Sequence, residues 1–216
     1  MSSKVIIKSR IVSKEQLDKI KSNEFKYEDN KDRKFDYLGA LEEIFRSRKS
    51  CRCLKNELEI EKAFEIINNL RNDKKFRPTP FAGNVDCIYM VLYKFPERKM
   101  EVISVNYNKK CNWITEDKKD TLLCRMEESI ERLEYKDKAG TYIFFLTSIE
   151  KLEYKYLDMA EPLVYTSLGC LMQNIVLLFT VNNYQSCIHF GVKSEITFKI
   201  DGWNYFCPCF IKIGKE

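Results

Sequence analysis

With 216 residues, 44% hydrophobic content and a formal net charge of +5, the chain carries enough apolar material for one domain whose core needs neither disulfide nor metal. The 37 Lys and Arg residues are interspersed with 32 Asp and Glu instead of forming a block, so the excess reads as a solvated surface and argues against a nucleic-acid partner. The first residues hold only the apolar run Val5-Ile6-Ile7, where a secretory peptide needs about 7 to 15, and Gln173, Asn174, Thr166 and Ser167 interrupt the one stretch near the length of a membrane span; the expectation is a cytoplasmic protein outside the membrane.

Residues 1–35 are polar and rich in Lys and Asn, and read as an arm; residues 36–216 read as the folded domain. Leu38, Leu41, Ile44 and Phe45 recur at helical spacing, so a helix should end near the basic cluster Arg46–Arg52, whose cations suit a helix C-terminus. Asn56 caps a second helix through Ile60, Phe64, Ile67 and Leu70, with Glu59 at the capping-box position. Arg77-Pro-Thr-Pro-Phe-Ala-Gly83 disfavours regular structure.

Cys87–Tyr93 and Lys99–Val105 are β-branched and aromatic, and should pair as antiparallel strands about the turn Phe95–Arg98. A third helix opens at Thr115 or Asp117 and runs through Leu122, Met126, Ile130 and Leu133. Thr141–Thr147 is a short, continuous apolar run and predicts an interior strand. Glu153–Val181 predicts a long helix whose second half is apolar almost all round, as a buried central helix should be. Gln185–Phe190 and Tyr205–Ile213 complete the strands. The order predicts an α+β domain: a mostly antiparallel sheet flanked by helices around a long buried central helix. No G-x-G-x-x-G or P-loop motif points to a doubly wound nucleotide fold.

Nine cysteines without an export signal read as reduced thiols. The pairs Cys51-Arg-Cys53 and Cys207-Pro-Cys209 are spaced too tightly for a zinc knuckle, and His189 is the single histidine, so buried, inert thiols and no metal are expected. His189 lies in an apolar strand and reads as a satisfied core or interface residue, while Tyr154, Tyr165 and Tyr184 read as core.

Three groups can carry chemistry. Arg48-Lys49-Ser50-Cys51-Arg52 places two arginines four apart around a serine, which can converge on one phosphate through forked, charge-assisted hydrogen bonds; an exposed basic turn explains it as well. Lys155 and Tyr156 are titratable and sit at the approach to the apolar helix, although Ile149, Leu152 and Tyr156 also share one face, as at the end of an ordinary amphipathic helix. Gln173 and Asn174 interrupt the buried helix, where their amides need partners.

The motif R-[RK]-S-x-R-x-[FL] between two helices resembles the flavin-phosphate motif of the nitroreductase family. Arg77-x-x-Pro80-x-Ala-Gly83 before a strand, and Lys155-Tyr156 followed thirteen residues later by Gly169 and then Gln173-Asn174, are similar to the SagB-type branch, the azoline dehydrogenases of thiazole- and oxazole-containing peptide biosynthesis. The sequence departs from that branch at Phe81, Asp86, Cys87, Pro162 and Ser167. The resemblance implies a nitroreductase-like fold and bound FMN held by Arg48, Lys49, Ser50 and Arg52, with Gly191 at the flavin ring and Lys215 reaching the phosphate. It further implies a homodimer packed through the helix Gly169–Val181, Lys155 and Tyr156 as the catalytic pair, and oxidation of peptide thiazolines or oxazolines to azoles beside cyclodehydratase subunits. Other readings of the same likeness are another FMN-dependent dehydrogenase of peptides or cyclic dipeptides, an NAD(P)H nitroreductase, or a non-catalytic scaffold subunit of a peptide-modifying complex.

Overall fold

A computed structural model describes residues 37–55, 58–68, 87–105, 109–110, 116–190, 192, 196–200 and 202–216. The polar arm, the Asn56 and Thr115 caps, the Arg77–Gly83 segment with Phe81, Asp86 beyond it, and Gly191 lie outside these residues. The chain divides into Met1–Leu38 and a compact unit, Gly39–Glu216.

The described elements are α1 (Tyr37–Ser47), α2 (Ile60–Asn68), β1 (Ile88–Phe95), β2 (Lys99–Ser104), β3 (Lys109–Lys110), α3 (Glu116–Glu131), β4 (Gly140–Thr147), α4 (Glu150–Tyr156), a 3-10 turn (Leu157–Met159), α5 (Ala160–Val181), β5 (Gln185–Phe190), β6 (Thr197–Ile200) and β7 (Trp203–Gly214). The strands form one sheet in the order β3-β2-β1-β4-β7-β5, with β6 paired to β7. Every pairing is antiparallel.

Successive strand residues face opposite sides, and both sides are covered. Met90, Leu92, Ile143, Phe145, Ile211 and Ile213 pack with Ile67, Leu171, Ile175 and Phe179 of α2 and α5. Val91, Tyr93, Tyr142, Phe144 and Phe210 pack with Leu122, Met126 and Ile130 of α3. Double coverage explains why β4, buried at every position, reads as a continuous apolar run without alternation.

Two expectations need correction. Glu153–Val181 is not one helix: Leu157 adopts a left-handed φ of 46°, which ends α4, and α5 begins three residues later at Ala160. Pro162, in the first turn of α5 and without an N–H for the Asp158 carbonyl, is the sequence mark of that break, which periodicity alone passed through. Nor is α5 buried all round. Val164, Leu168, Leu171, Ile175 and Phe179 are buried, but Tyr165, Thr166, Gln173 and Val181 are exposed along an opposite stripe. Tyr154 and Tyr165 are therefore surface residues, at 70% and 42% exposure, whereas Tyr184 packs against the core as expected. Glu150–Val181 contains a stretch apolar enough to cross a membrane by length and composition, its polar residues notwithstanding, and half of that window is buried inside the chain.

Candidate phosphate and flavin site

Past α1, residues 48–55 run as a strap along the edge of the sheet. The Arg48 N–H donates to the Ile44 carbonyl at 3.0 Å and ends the helix. Ser50 then bridges in parallel to Ser186 of β5, with the Cys51 N–H donating to the Ser186 carbonyl at 3.3 Å. Lys55 bridges antiparallel to Lys215, its N–H donating to the Lys215 carbonyl at 2.6 Å. Buried Cys51 and Leu54 pin the strap from inside, which leaves Ser50 and Arg52 exposed. At the close approach to β7 stands Gly214, where a methyl group would run into the Lys55 carbonyl and the Leu54 side chain.

These bridges set the backbone of the Arg48–Arg52 segment, from one end of the domain sequence, along the same edge as the backbone of Lys215 from the other; the Lys215 Nζ lies 5.8 Å from the centre of the Tyr184 ring. Lys49 is occupied differently: its Nζ lies 2.5 Å from Glu216, which holds its pKa above the usual lysine range. The remaining set, three cations and a hydroxyl on an open edge, has the chemistry of a site for a dianionic phosphate.

Behind the strap lies a polar cluster on the α3 side of the sheet. The Tyr135 hydroxyl is 2.8 Å from His189 Nε2 and 3.3 Å from Cys187 Sγ. The imidazole stacks on Phe210 with centroids 4.8 Å apart. Burial, then the charges of Arg52 and Lys212, push the His189 pKa down to about 4, so the ring is neutral at pH 7. Burial first, and the bond to Cys187 second, raise the Tyr135 phenol. Lys212 is fully buried; its Nζ donates to the Asp137 carbonyl at 2.8 Å and lies over the Tyr135 and Tyr142 rings at 5.3 and 5.8 Å. Burial lowers its pKa. His189 is thus partly buried and bonded through Nε2.

Lys155 and Tyr156 end α4 at the opposite end of α5. Tyr156 packs against the core, Lys155 is exposed, and the Lys155 Nζ lies 5.6 Å from the centre of the Tyr156 ring. α5 has 22 residues, so about 33 Å of helix separates the pair from Tyr184, Ser186 and the strap. Within one chain the two motifs do not meet. Gly169 lies midway on the uncovered stripe of α5, and a Cβ built there would meet nothing within 4 Å.

No protein-family model matches the sequence, and no curated protein matches it either. Solved structures do. A chain of the E. coli microcin synthetase McbBCD complex with truncated pro-MccB17 bound superposes with a TM-score of 0.61 at 13% identity, over 96% of this chain and 84% of that one. A nitroreductase-type protein of Ralstonia eutropha gives 0.58 at 11% identity over 81% and 82%, and an NAD(P)H:FMN oxidoreductase-type protein of Staphylococcus epidermidis gives 0.54 at 14% over 81% and 86%. The fold is that of the nitroreductases.

On this nitroreductase fold, sequence reasoning overlooked Tyr135 and the two buried lysines. Lys212 had a signal, a lone cation in the apolar run Phe210-Ile-Lys-Ile213 of an interior strand. Lys94 had the same signal: it is 1% exposed at the end of β1, where its Nζ donates to the Leu58 carbonyl at 2.7 Å and to Glu59 at 2.9 Å. Tyr135 had none, because it lies in an irregular segment that only the sheet register carries to β5. Cys51, Cys87, Cys187, Cys207 and Cys209 are buried, and burial pushes the Cys209 thiol up to about 12; Cys53 and Cys124 are exposed.

Proposed function

We propose that the protein is an FMN-dependent oxidoreductase that works as a homodimer and oxidises thiazoline or oxazoline rings in a peptide to the aromatic azoles. The observation that supports the flavin assignment is the pair of backbone bridges, Ser50 to Ser186 and Lys55 to Lys215, that set the Arg48–Arg52 strap along the edge it shares with the C-terminal residues. That donor set suits the phosphate of FMN, with Arg48, Arg52 and Lys215 supplying charge and Ser50 a hydroxyl. When bound, the flavin supplies a hydride acceptor, which no side chain of the chain can provide.

The remaining chemistry falls to the chain's own residues. Turning an azoline into an azole removes one hydride and one proton, and Lys155 and Tyr156 are the groups at hand to take and move the proton. Their distance from the strap favours the dimer. Two copies packed through the uncovered stripe of α5 in antiparallel fashion would bring the Lys155 end of one chain to the strap of the other, as an isologous two-fold interface allows. Gly169, with open space above it, permits close approach there. The likeness to a chain of a synthetase complex with a bound pro-peptide supports a peptide substrate and partner subunits; that the partners are of cyclodehydratase type is what the sequence resemblance implies.

A scaffold role in such a complex is the second reading, favoured by the solvent exposure of Lys155 in the single chain. The visible absorption spectrum of the purified protein, before and after addition of FMN, separates the two. A flavin spectrum that persists through gel filtration supports the enzyme; a protein that stays colourless after FMN addition removes it and leaves the scaffold.

A further inference from the structure

We infer that His189 is a further ligand-contacting residue of this site: Tyr135 fixes it in the Nδ1–H tautomer, so that the imidazole offers an N–H donor to the phosphate-bearing ligand held by Arg52. The inference deepens the flavin reading and rests on it for the ligand's identity, but not for the tautomer.

The argument begins with protons. Tyr135 has one hydroxyl proton and two neighbours, the His189 Nε2 at 2.8 Å and the Cys187 Sγ at 3.3 Å. A neutral imidazole nitrogen is a strong acceptor and a thiol sulfur a weak one, so the proton belongs on the bond to Nε2. The same hydroxyl also reaches the Cys187 Sγ at 3.3 Å as a weaker branch, so one phenol donor ties Cys187 and His189 together. A neutral imidazole that accepts at Nε2 must carry its proton on Nδ1. Among the described residues nothing accepts a hydrogen bond from that nitrogen.

The placement of the ring gives the donor its target. Ser50 is paired with Ser186 and the Cys51 N–H is bonded to the Ser186 carbonyl, so the strap advances along β5 and carries Arg52 toward His189. The Phe210 stack prevents the ring from turning away. Arg52 and Lys212 make the surroundings positive, which disfavours an imidazolium and favours an anionic acceptor opposite a neutral N–H. A phosphate monoester oxygen meets that description.

Because His189 is the only histidine, its imidazole nitrogens can be observed without assignment in the 15N-labelled full-length protein. At pH 7 the spectrum should show Nδ1 protonated and Nε2 bare, and both FMN and inorganic phosphate should shift the Nδ1–H resonance. Tyr135→Phe should release the tautomer to a mixture. His189→Asn, whose amide N–H falls near the position of Nδ1, should keep FMN affinity within about twofold, whereas His189→Phe should lose about three- to tenfold, as one net hydrogen bond implies. Riboflavin affinity should change in neither variant. A protonated Nε2 in the wild type overturns the inference, as does a Nδ1–H resonance that neither FMN nor inorganic phosphate moves. If inorganic phosphate shifts it and FMN does not bind, the flavin reading fails while the anion-contacting role of His189 stands.

Discussion

Acid should expose the cost of burying a neutral histidine. In the unfolded chain His189 has a pKa of about 6.5, whereas in the fold burial, Arg52 and Lys212 hold it down to about 4. The folded state therefore binds the proton less tightly than the unfolded state. Stability is fully present above the unfolded value and is lost as pH falls from about 6.5 to about 4. Between pH 7 and pH 4.5 the linkage relation gives a loss on the order of 2 kcal/mol from this residue, a sizeable part of the roughly 5 to 15 kcal/mol that holds a typical domain together. Glu59 and Glu150, whose pKa values are lowered by hydrogen bonds to Lys94 and Asn204, also lose stability in acid, so the test is a comparison. Urea titrations of the wild type and of His189→Asn at both pH values should show the wild type losing on the order of 2 kcal/mol more than the variant. Equal losses, or imidazole resonances that titrate near 6.5, would refute the argument.

Other outcomes follow from the same structure. Lys212→Met removes the bond to the Asp137 carbonyl and both ring contacts while keeping the aliphatic stem, and should cost about 1 to 3 kcal/mol in urea titration. Gly214→Ala forces the strap away from β7 and should cost about 1 to 3 kcal/mol, with a measurable fall in FMN affinity. Gly169→Trp should leave the monomer fold intact by circular dichroism, since its Cβ meets nothing, yet shift sedimentation from dimer toward monomer. Lys155→Ala and Tyr156→Phe should retain bound flavin and lower turnover by about 10²- to 10⁴-fold if the pair moves the proton; full activity in both would exclude it.

The sheet was legible because its signals are local. β1, β2 and β4 are dense in β-branched and aromatic residues, and the turn at Phe95–Arg98 sets the hairpin. β3 and β6 were not legible: one has two residues and the other alternates over only four, too short for any period to show. The strap was legible as a motif, Arg48 to Arg52, and Lys215 beside it only through the family resemblance, but Ser186 was not, because it is distant in sequence and is joined to the strap by backbone bonds that any residue types could make. Both features of Glu153–Val181 carried weak signals that its overall hydrophobicity masked: Pro162 just past the break, and Thr166 and Gln173 on the open stripe of α5.

The most direct test of the central claim is the affinity of the purified protein for FMN and for riboflavin, measured by flavin fluorescence in the wild type and in the Arg48→Gln, Arg52→Gln double variant. A phosphate held by the strap predicts FMN binding at least tenfold tighter than riboflavin in the wild type, and loss of that preference in the variant, since each charge-assisted bond is worth about 1.5 to 3 kcal/mol. Equal affinity for the two flavins, or an unchanged preference in the variant, would contradict it.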